Sequence, residues 1–248
     1  MTALVSRPGF VLAAAVGFCV IAFDVNNPAS LHFLPYNIDQ PAHAWVKANL
    51  PTPIKNLVAE KLVSDLFITG GIAGWVLAGA AGISKSGWNG IKRLAIALLL
   101  YVFGGGSIQH GDPFVVNQLK THFQRLRPSD ILNTYAFPSG HTTAAVFIMG
   151  TLLCVLLPPL TINNDSTKNS RLQTVVTSAA LPLWVVATVT TATGRVLGDA
   201  HWVSDTMAGA CLGAGNGIHM CMIVQVPVYA VLFVHFRTYQ TDEIPLYQ

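Results

Sequence analysis

Residues 138–157 read PSGHTTAAVFIMGTLLCVLL, a short turn-forming segment followed by a long apolar run. Pro138, Ser139 and Gly140 favour a turn, whereas the residues from Thr142 onward include no Asp, Glu, Lys or Arg. An apolar run of this kind is typical of a helix that is buried in a protein core or in a membrane. The stretch therefore predicts a buried helix from Thr142 to residue 157, with polar groups at its N-terminus.

The whole chain shares this apolar character. Of its 248 residues, 52% are hydrophobic and only 10% are Asp, Glu, Lys or Arg, against about 25% charged residues in soluble domains. The mean hydropathy is +0.51. These values predict an integral membrane protein. The basic residues are scattered between apolar segments, so the net charge of +3 does not indicate a nucleic-acid-binding surface.

Five other segments are similarly apolar. Together with the helix above they make six candidate membrane spans, at residues 9–23, 62–83, 94–109, 142–157, 174–193 and 207–236. Because backbone groups in lipid must be hydrogen-bonded within the protein, these spans are expected to be helices rather than open strands. The predicted fold is all-α: a single domain over residues 1–248, built as an integral membrane bundle of about six transmembrane helices.

Three shorter patterns add detail to this bundle. Residues 38–50 predict a short helix that either lies in the membrane interface, with Trp45 as an aromatic anchor, or covers the bundle. Residues 115–123 predict a helix that carries the third span out of the bilayer. Glycines that repeat every four residues favour close contact with another helix, and this spacing occurs at Gly70 and Gly74 in the second span and at Gly209, Gly213 and Gly217 in the sixth.

Charged and polar residues that the spans avoid return in three clusters. An even number of predicted spans separates the loops that carry them, so all three clusters lie on the same membrane face in either orientation. They could therefore form one site. The clusters are Lys120 with Arg127 and Pro128, then Ser139, Gly140 and His141, then Arg195, His201 and Asp205.

The first cluster is suited to clamping a phosphoryl group. Lys120 and Arg127 are seven residues apart, which would place both cations on one face of a helix that ends at Pro128. Arg presents a planar fork of donors and Lys a compact charge. Arg125 could support this clamp or reach lipid headgroups. The alternative is a pair of solvated interfacial cations.

The second cluster lies directly before the helix predicted from Thr142. Ser139, Gly140 and the backbone N–H groups that follow would bind an anion at the helix N-terminus. Gly140 would let a ligand approach the backbone closely. His141 would then stand beside the bound oxygens, where it could protonate a leaving alkoxide. Taken alone, a histidine at a helix cap is more often structural.

The third cluster pairs a histidine with a carboxylate. His201 and Asp205 are four residues apart, so in the first turn of a helix Asp205 would accept from one ring nitrogen and leave the other free as a nucleophile. This is the orienting arrangement of a Ser-His-Asp triad, applied to a histidine that attacks phosphorus. Arg195 adds a third cation for the phosphate oxygens. A non-catalytic His–Asp hydrogen bond is the alternative for this cluster alone.

The segments KTHFQRLRP (120–128), PSGH (138–141) and GRVLGDAHWVSD (194–205) together resemble the three-part signature of the type 2 phosphatidic acid phosphatase (PAP2) superfamily. The six-span layout resembles the integral-membrane lipid phosphatases of that superfamily. The resemblance implies a phosphatase without metal or cofactor, in which His201 forms a phosphohistidine, Asp205 orients it, and His141 is the general acid and then the base. The phosphate ligands implied are Lys120, Arg127, Ser139, Gly140 and Arg195.

One position departs from this signature. The family pattern usually has a serine before the arginine of the third segment, whereas this chain has Gly194. A hydroxyl contact to phosphate or backbone is therefore expected to be missing. The expected consequence is a change in affinity rather than in reaction type.

The residues and the resemblance predict hydrolysis of a lipid phosphate or diphosphate monoester at the extracytoplasmic face of a bacterial inner membrane. Basic residues favour this side, because seven lie in the predicted cytoplasmic segments and four in the outer ones when Lys120, Arg127 and Arg195 are set aside as ligands. The alternatives are a lipid phosphotransferase and a non-enzymatic phosphate or lipid carrier. The predicted partners are the bilayer and a lipid such as phosphatidylglycerophosphate, phosphatidate, undecaprenyl diphosphate or a lipid A phosphate. No nucleic-acid partner is predicted, and the sequence does not identify a protein partner.

Overall fold

The computed structural model describes residues 8–27, 30–102, 114–129, 132–161 and 169–219, and every regular element within these ranges is helical. The all-α prediction is therefore confirmed. The π-helical segments Pro35–Asp39, Ile54–Val63 and Leu152–Leu156 adjoin the α-helices. The α-helices are α1 (Pro8–Asn26), α2 (Gln40–Asn49), α3 (Ser64–Ser86), α4 (Trp88–Leu100), α5 (Phe114–Phe123), α6 (Gly140–Thr151), α7 (Pro158–Thr161), α8 (Asn169–Leu197) and α9 (Val203–His219).

Several of these helices are long enough to span a membrane. Within the described ranges, Gly9–Asn26, Ile54–Lys85 and Thr174–Leu197 are long and apolar enough to cross a membrane, and Gly140–Leu156 is a shorter apolar helix. These helices match four of the predicted spans. The other two predicted spans, 94–109 and 207–236, overlap α4 and α9 and then run into residues outside the described ranges. The total of six spans stays a prediction.

α6 is the central helix of the described bundle. It is buried along nearly its whole length and packs against α3, α8 and α9, as expected for a helix that is apolar on all sides. Two indole groups fix its position among its neighbours. Trp75 of α3 donates to the Ile148 carbonyl at 2.9 Å, and Trp184 of α8 donates to the Val146 carbonyl at 2.8 Å.

α9 lies against both α6 and α1. Its contact with α6 depends on Gly209 and Gly213, because a Cβ atom at either position would lie 2.5 Å from a backbone carbonyl oxygen, that of Ser139 or of Thr143 respectively. The close helix contact predicted from these glycines is confirmed. It brings the first residues of α6 beside the first residues of α9.

The two shorter helices predicted between the spans are also present. Residues 38–50 fall in the segment Pro35–Asp39 and in α2, where Trp45 remains half exposed, and residues 115–123 fall in α5. α5 ends at Phe123 rather than at Pro128, so the predicted helix that carries both Lys120 and Arg127 is wrong.

The chain leaves α5 through a sharp change of backbone direction. Gln124 has a φ of 49°, which ends the helical path, and the Arg125 carbonyl then accepts a hydrogen bond from the Ala136 N–H at 2.7 Å. This bond holds the segment after α5 against the chain that leads into α6. Arg127 therefore lies in the non-helical segment that leads towards α6, rather than on the same helix face as Lys120.

Replacing Gly213 with leucine is expected to destabilise the fold by about 1–3 kcal/mol. The added Cβ would overlap the Thr143 carbonyl oxygen, which cannot move without displacing α6. Gly70 on α3 is the matched control, because the close contact predicted there is wrong: the position is exposed and an added Cβ meets nothing within 4 Å. Thermal unfolding in detergent measures both variants, and equal unfolding temperatures for Gly213→Leu and Gly70→Leu would contradict the expectation.

Candidate active site

The N-terminus of α6 and the start of α9 are joined by a backbone hydrogen bond. The Ser139 N–H donates to the Asp205 carbonyl at 3.0 Å. The fully buried Ser139 side chain is the N-cap of α6, and its hydroxyl oxygen accepts from the Thr142 N–H at 3.4 Å. Gly140 is the first residue of α6 and is also buried. Phosphate binding by Ser139 and Gly140 stays a prediction, but their position at a helix N-terminus is the one predicted.

His201 is buried with its two ring nitrogens in different surroundings. An Arg127 guanidinium nitrogen lies 3.1 Å from Nε2, and Asp205 Oδ2 lies 3.5 Å from Nδ1. Because arginine can only donate, the lone pair that accepts must be on Nε2, which assigns the ring proton to Nδ1 on the Asp205 side. The separation to Asp205 is long for a hydrogen bond, as is common before a substrate is bound.

Four charged or titratable groups from the predicted clusters surround His201. Burial lowers the pKa of His201 well below its usual value, and the positive charges of Arg127, Arg195 and Lys120, with a smaller effect of His141, lower it further. The imidazole is therefore neutral at neutral pH. Lys120 and Arg195 are themselves only 5% and 4% exposed. The structure thus brings the three sequence clusters together around one neutral histidine.

Asp205 is held by the start of α9. His201 lies before this helix, which begins at Val203, so the prediction that both residues share its first turn is wrong for His201. Asp205 does lie in the first turn, where its Oδ2 accepts from the Trp202 N–H at 2.9 Å. This is the carboxylate half of a capping box. The same oxygen lies 3.5 Å from His201 Nδ1, so the cap determines which carboxylate oxygen faces the imidazole.

Arg125 pairs with Asp39, a residue that no sequence pattern singled out, and the pair forms a further part of the site. Arg125 Nη1 lies 2.5 Å from Asp205 Oδ1, and Nη2 lies 2.7 Å from Asp39 Oδ2. Arg125 thus pairs with two buried carboxylates, rather than reaching lipid headgroups. Burial raises the pKa of Asp205 to about 6, while Arg125 and the Trp202 N–H act in the opposite direction.

His141 has a carboxylate partner of its own. Its Nε2 lies 3.4 Å from Oδ1 of Asp65, which is in the first turn of α3, and both side chains are partly exposed. His141 therefore stands at the accessible edge of the cluster, where a general acid could exchange protons with water.

Gly194 lies in a tight helix contact. An added Cβ would be 2.7 Å from Ser64 Oγ and 2.8 Å from both the Ser64 nitrogen and the Ala59 oxygen. The fully buried Ser64 hydroxyl donates to Ala59 O at 2.9 Å. The close approach of the segment Ile54–Val63 to α8 thus requires glycine here. The residue before Arg195 is therefore set by packing as well as by any contact with phosphate.

A third His–Asp pair lies beside the site. His43 Nδ1 is 2.8 Å from Asp199 Oδ1, and Lys55 Nζ is 3.6 Å from Asp199 Oδ2. The pair lines a shallow depression together with His201 and Trp202. It connects α2 to the turn before α9. Among the residues that the structure describes, no group of three or more His, Cys, Asp or Glu side chains could hold a metal ion.

The helices and the site together define a membrane protein whose buried histidine lies among three cations and beside a carboxylate. Residues 94–228, more than half of the chain, match the model of the PAP2 superfamily, and the chain belongs to that family. The chain is also similar to the crystal structure of the first transmembrane PAP2 type phosphatidylglycerolphosphate phosphatase from Bacillus subtilis. That match has a TM-score of 0.52 and 18% identity, and covers 85% of this chain and 93% of the other. At 18% identity, this similarity shows that the two proteins share a fold. Comparison with curated proteins gives no match.

Introducing the usual family residue by Gly194→Ser is expected to destabilise this protein by about 1–3 kcal/mol. The new Cβ would overlap backbone atoms of Ala59 and Ser64, so removal of the Ser64 hydroxyl should not restore stability. Thr193→Ser, at an exposed neighbouring position of α8, is the control. Thermal unfolding in detergent measures the effect, and an unchanged unfolding temperature for Gly194→Ser would show that the two segments separate easily.

Proposed function

We propose that the protein hydrolyses a lipid phosphate or diphosphate monoester through a phosphohistidine on His201. The observation that carries this proposal is the state of His201, a neutral ring with its Nε2 lone pair facing Arg127 and its Nδ1 facing Asp205. Family membership and the fold support phosphatase chemistry at the level of the family.

The first step is attack of His201 Nε2 on phosphorus. Arg127 now donates to that nitrogen, and a phosphate oxygen would replace the nitrogen as its acceptor. Lys120, Arg127 and Arg195 would neutralise the charge on the phosphoryl oxygens. The P–O bond to the lipid breaks as the P–N bond forms, and the leaving oxygen takes a proton from His141. Asp205 stabilises the positive charge that develops on the His201 ring.

The second step is hydrolysis of the phosphohistidine. His141, now neutral, takes a proton from water as the water oxygen attacks phosphorus and the P–N bond breaks. The products are inorganic phosphate and neutral His201, while His141 is again protonated. The Asp65 carboxylate supports the protonated form of His141 in both steps.

The position of the site supports a lipid substrate. The reacting groups are at the ends of apolar helices of spanning length, so a phosphate there is at the level of lipid headgroups. The distribution of basic residues supports an extracytoplasmic site in a bacterial inner membrane. Phosphatidylglycerophosphate, phosphatidate, undecaprenyl diphosphate and lipid A phosphates are the substrates to compare.

Removal of the nucleophile should abolish turnover. His201→Gln is expected to lower phosphate release by more than about 10³-fold, because His201 is the histidine that lies among Lys120, Arg127 and Arg195 and forms the P–N bond in the proposed reaction. His43→Gln is the matched control, since His43 also pairs with an aspartate at 2.8 Å but takes no part in the proposed reaction. Free phosphate is measured for purified, folded proteins in detergent with the four lipids.

The intermediate can be trapped in a second variant. In His141→Ala, a substrate with a weakly basic leaving group, such as nitrophenyl phosphate, should still phosphorylate His201 while hydrolysis of the P–N bond slows. An alkali-stable phosphate on His201, found by mass spectrometry, is the expected result. Turnover only with an added lipid acceptor would indicate a phosphotransferase, and binding without either product would indicate a carrier.

The rate should also fall as the pH drops through about 6, where the Asp205 carboxylate becomes protonated. Its pKa is raised by folding, so the ionised form that orients His201 is present above this pH and is lost below it. Burial and the neighbouring cations lower the pKa of His201 well below its usual value. The measurement is kcat/KM against pH. Since phosphate monoesters also titrate near pH 6, a limb that persists unchanged in Asp205→Asn would assign it to the substrate.

A further inference from the structure

The Asp205 carboxylate contacts different groups through its two oxygens. Oδ2 accepts from the Trp202 N–H and faces His201, whereas Oδ1 lies 2.5 Å from Arg125 Nη1. The side chain is fully buried. Because Arg125 holds Oδ1, rotation of the carboxylate is restricted and Oδ2 is kept on the His201 side.

Arg125 is in turn fixed from several directions. Its Nη1 also donates to Ser204 Oγ at 2.7 Å, and its Nη2 donates to Asp39 Oδ2 at 2.7 Å. The guanidinium carbon lies 5.4 Å from the centre of the Trp202 ring. A guanidinium group that is hydrogen-bonded through both terminal nitrogens and covered on one face by an indole ring has little freedom to rotate. Arg125 therefore presents a fixed charge to Asp205.

Asp39 anchors this arrangement from the segment before α2. It is 1% exposed, and besides Arg125 it accepts from the Ser204 N–H at 2.9 Å and from the Ser204 hydroxyl at 2.5 Å. The N–H groups at the start of a helix favour a negative charge. Asp39 is thus stabilised by the N-terminus of α9 as well as by Arg125, so Arg125 does not have to neutralise it alone.

We propose that Arg125, anchored by Asp39, is the positioning residue that keeps Asp205 ionised and directed at His201. The proposal rests on the proposed function, because Asp205 matters to turnover only if His201 attacks phosphorus. The charged and titratable groups that face Asp205 are Arg125, Asp39 and His201, from three different segments of the chain. Arg125 supplies the positive charge next to this carboxylate, whereas Asp39 and burial oppose its ionisation.

Removal of Arg125 should therefore change the pH dependence and not only the rate. In Arg125→Met, the acid limb of kcat/KM should move to higher pH by about 1–3 pH units, the usual effect of an opposite charge at this distance. Above the shifted limb, the rate should recover towards the wild-type value. A defect of structure alone would lower the rate by the same factor at every pH. The titration of the substrate is common to all variants and cannot produce the shift.

Two further variants keep the test decisive if Arg125→Met folds poorly. Arg125→Lys retains the positive charge but lacks the planar guanidinium group. Its acid limb should therefore stay near that of the wild type, while kcat/KM is lower at every pH. In Arg125→Met, the buried carboxylates of Asp39 and Asp205 lose the cation that they share. Adding Asp39→Asn removes one of these two charges, so the double variant should fold better. Its acid limb should also lie at lower pH than that of Arg125→Met. Lys47→Met, an exposed change on α2, is the charge-loss control.

The experiment measures phosphate release from phosphatidate in detergent micelles for wild type and variants, after thermal unfolding has shown that each is folded. The expected result is that the acid limb of kcat/KM lies at higher pH in Arg125→Met or in the double variant. In Arg125→Lys and Lys47→Met this limb should lie where it does in the wild type. An active wild type whose limb does not move in the folded Arg125 variants would overturn the role of Arg125 alone. Absence of phosphohistidine at His201 in an active enzyme would instead overturn the proposed function.

Discussion

The hydrogen bond from the Ser139 N–H to the Asp205 carbonyl is the contact on which the rest of the site depends. It joins the N-terminus of α6 to the first turn of α9. The two helices can come this close because Gly209 and Gly213 have no side chains at their interface. His141 and His201, which are separated by two predicted spans, are thereby brought to one end of the bundle.

Burial of charge then imposes conditions on the surrounding segments. Asp205 and Asp39 are almost fully buried, and a buried charge is costly unless it is paired and hydrogen-bonded. The segment between α1 and α3 meets this condition, since it supplies Asp39 to Arg125 and to the start of α9. It also supplies His43 to Asp199. This segment therefore does more than connect two spans, because it forms one side of the site.

The sequence predicted most of what depends on local pattern. Apolar runs located the helices, and residue spacing identified His141, His201 and Asp205 as candidates. The pairing of Arg125 with Asp39 spans 86 residues, so no local pattern reports it. The predicted end of α5 was wrong, because the tertiary contacts of Arg125 favour a chain that leaves the helix at Gln124. Gly194 indicated a missing hydroxyl, yet its contact with Ser64 also depends on how a distant segment packs.

The cations of the site divide into two groups with different electrostatic effects. Together with burial, Lys120, Arg127 and Arg195 lower the pKa of His201, so the cations proposed to bind phosphate also keep the proposed nucleophile unprotonated before phosphate arrives. Arg125 instead faces the carboxylates, on the far side of Asp205 from His201. If one group of cations had to serve both purposes, bound phosphate would compete with Asp205 for its counter-charge. In the proposed reaction, separate cations allow Asp205 to remain ionised while phosphate neutralises the others.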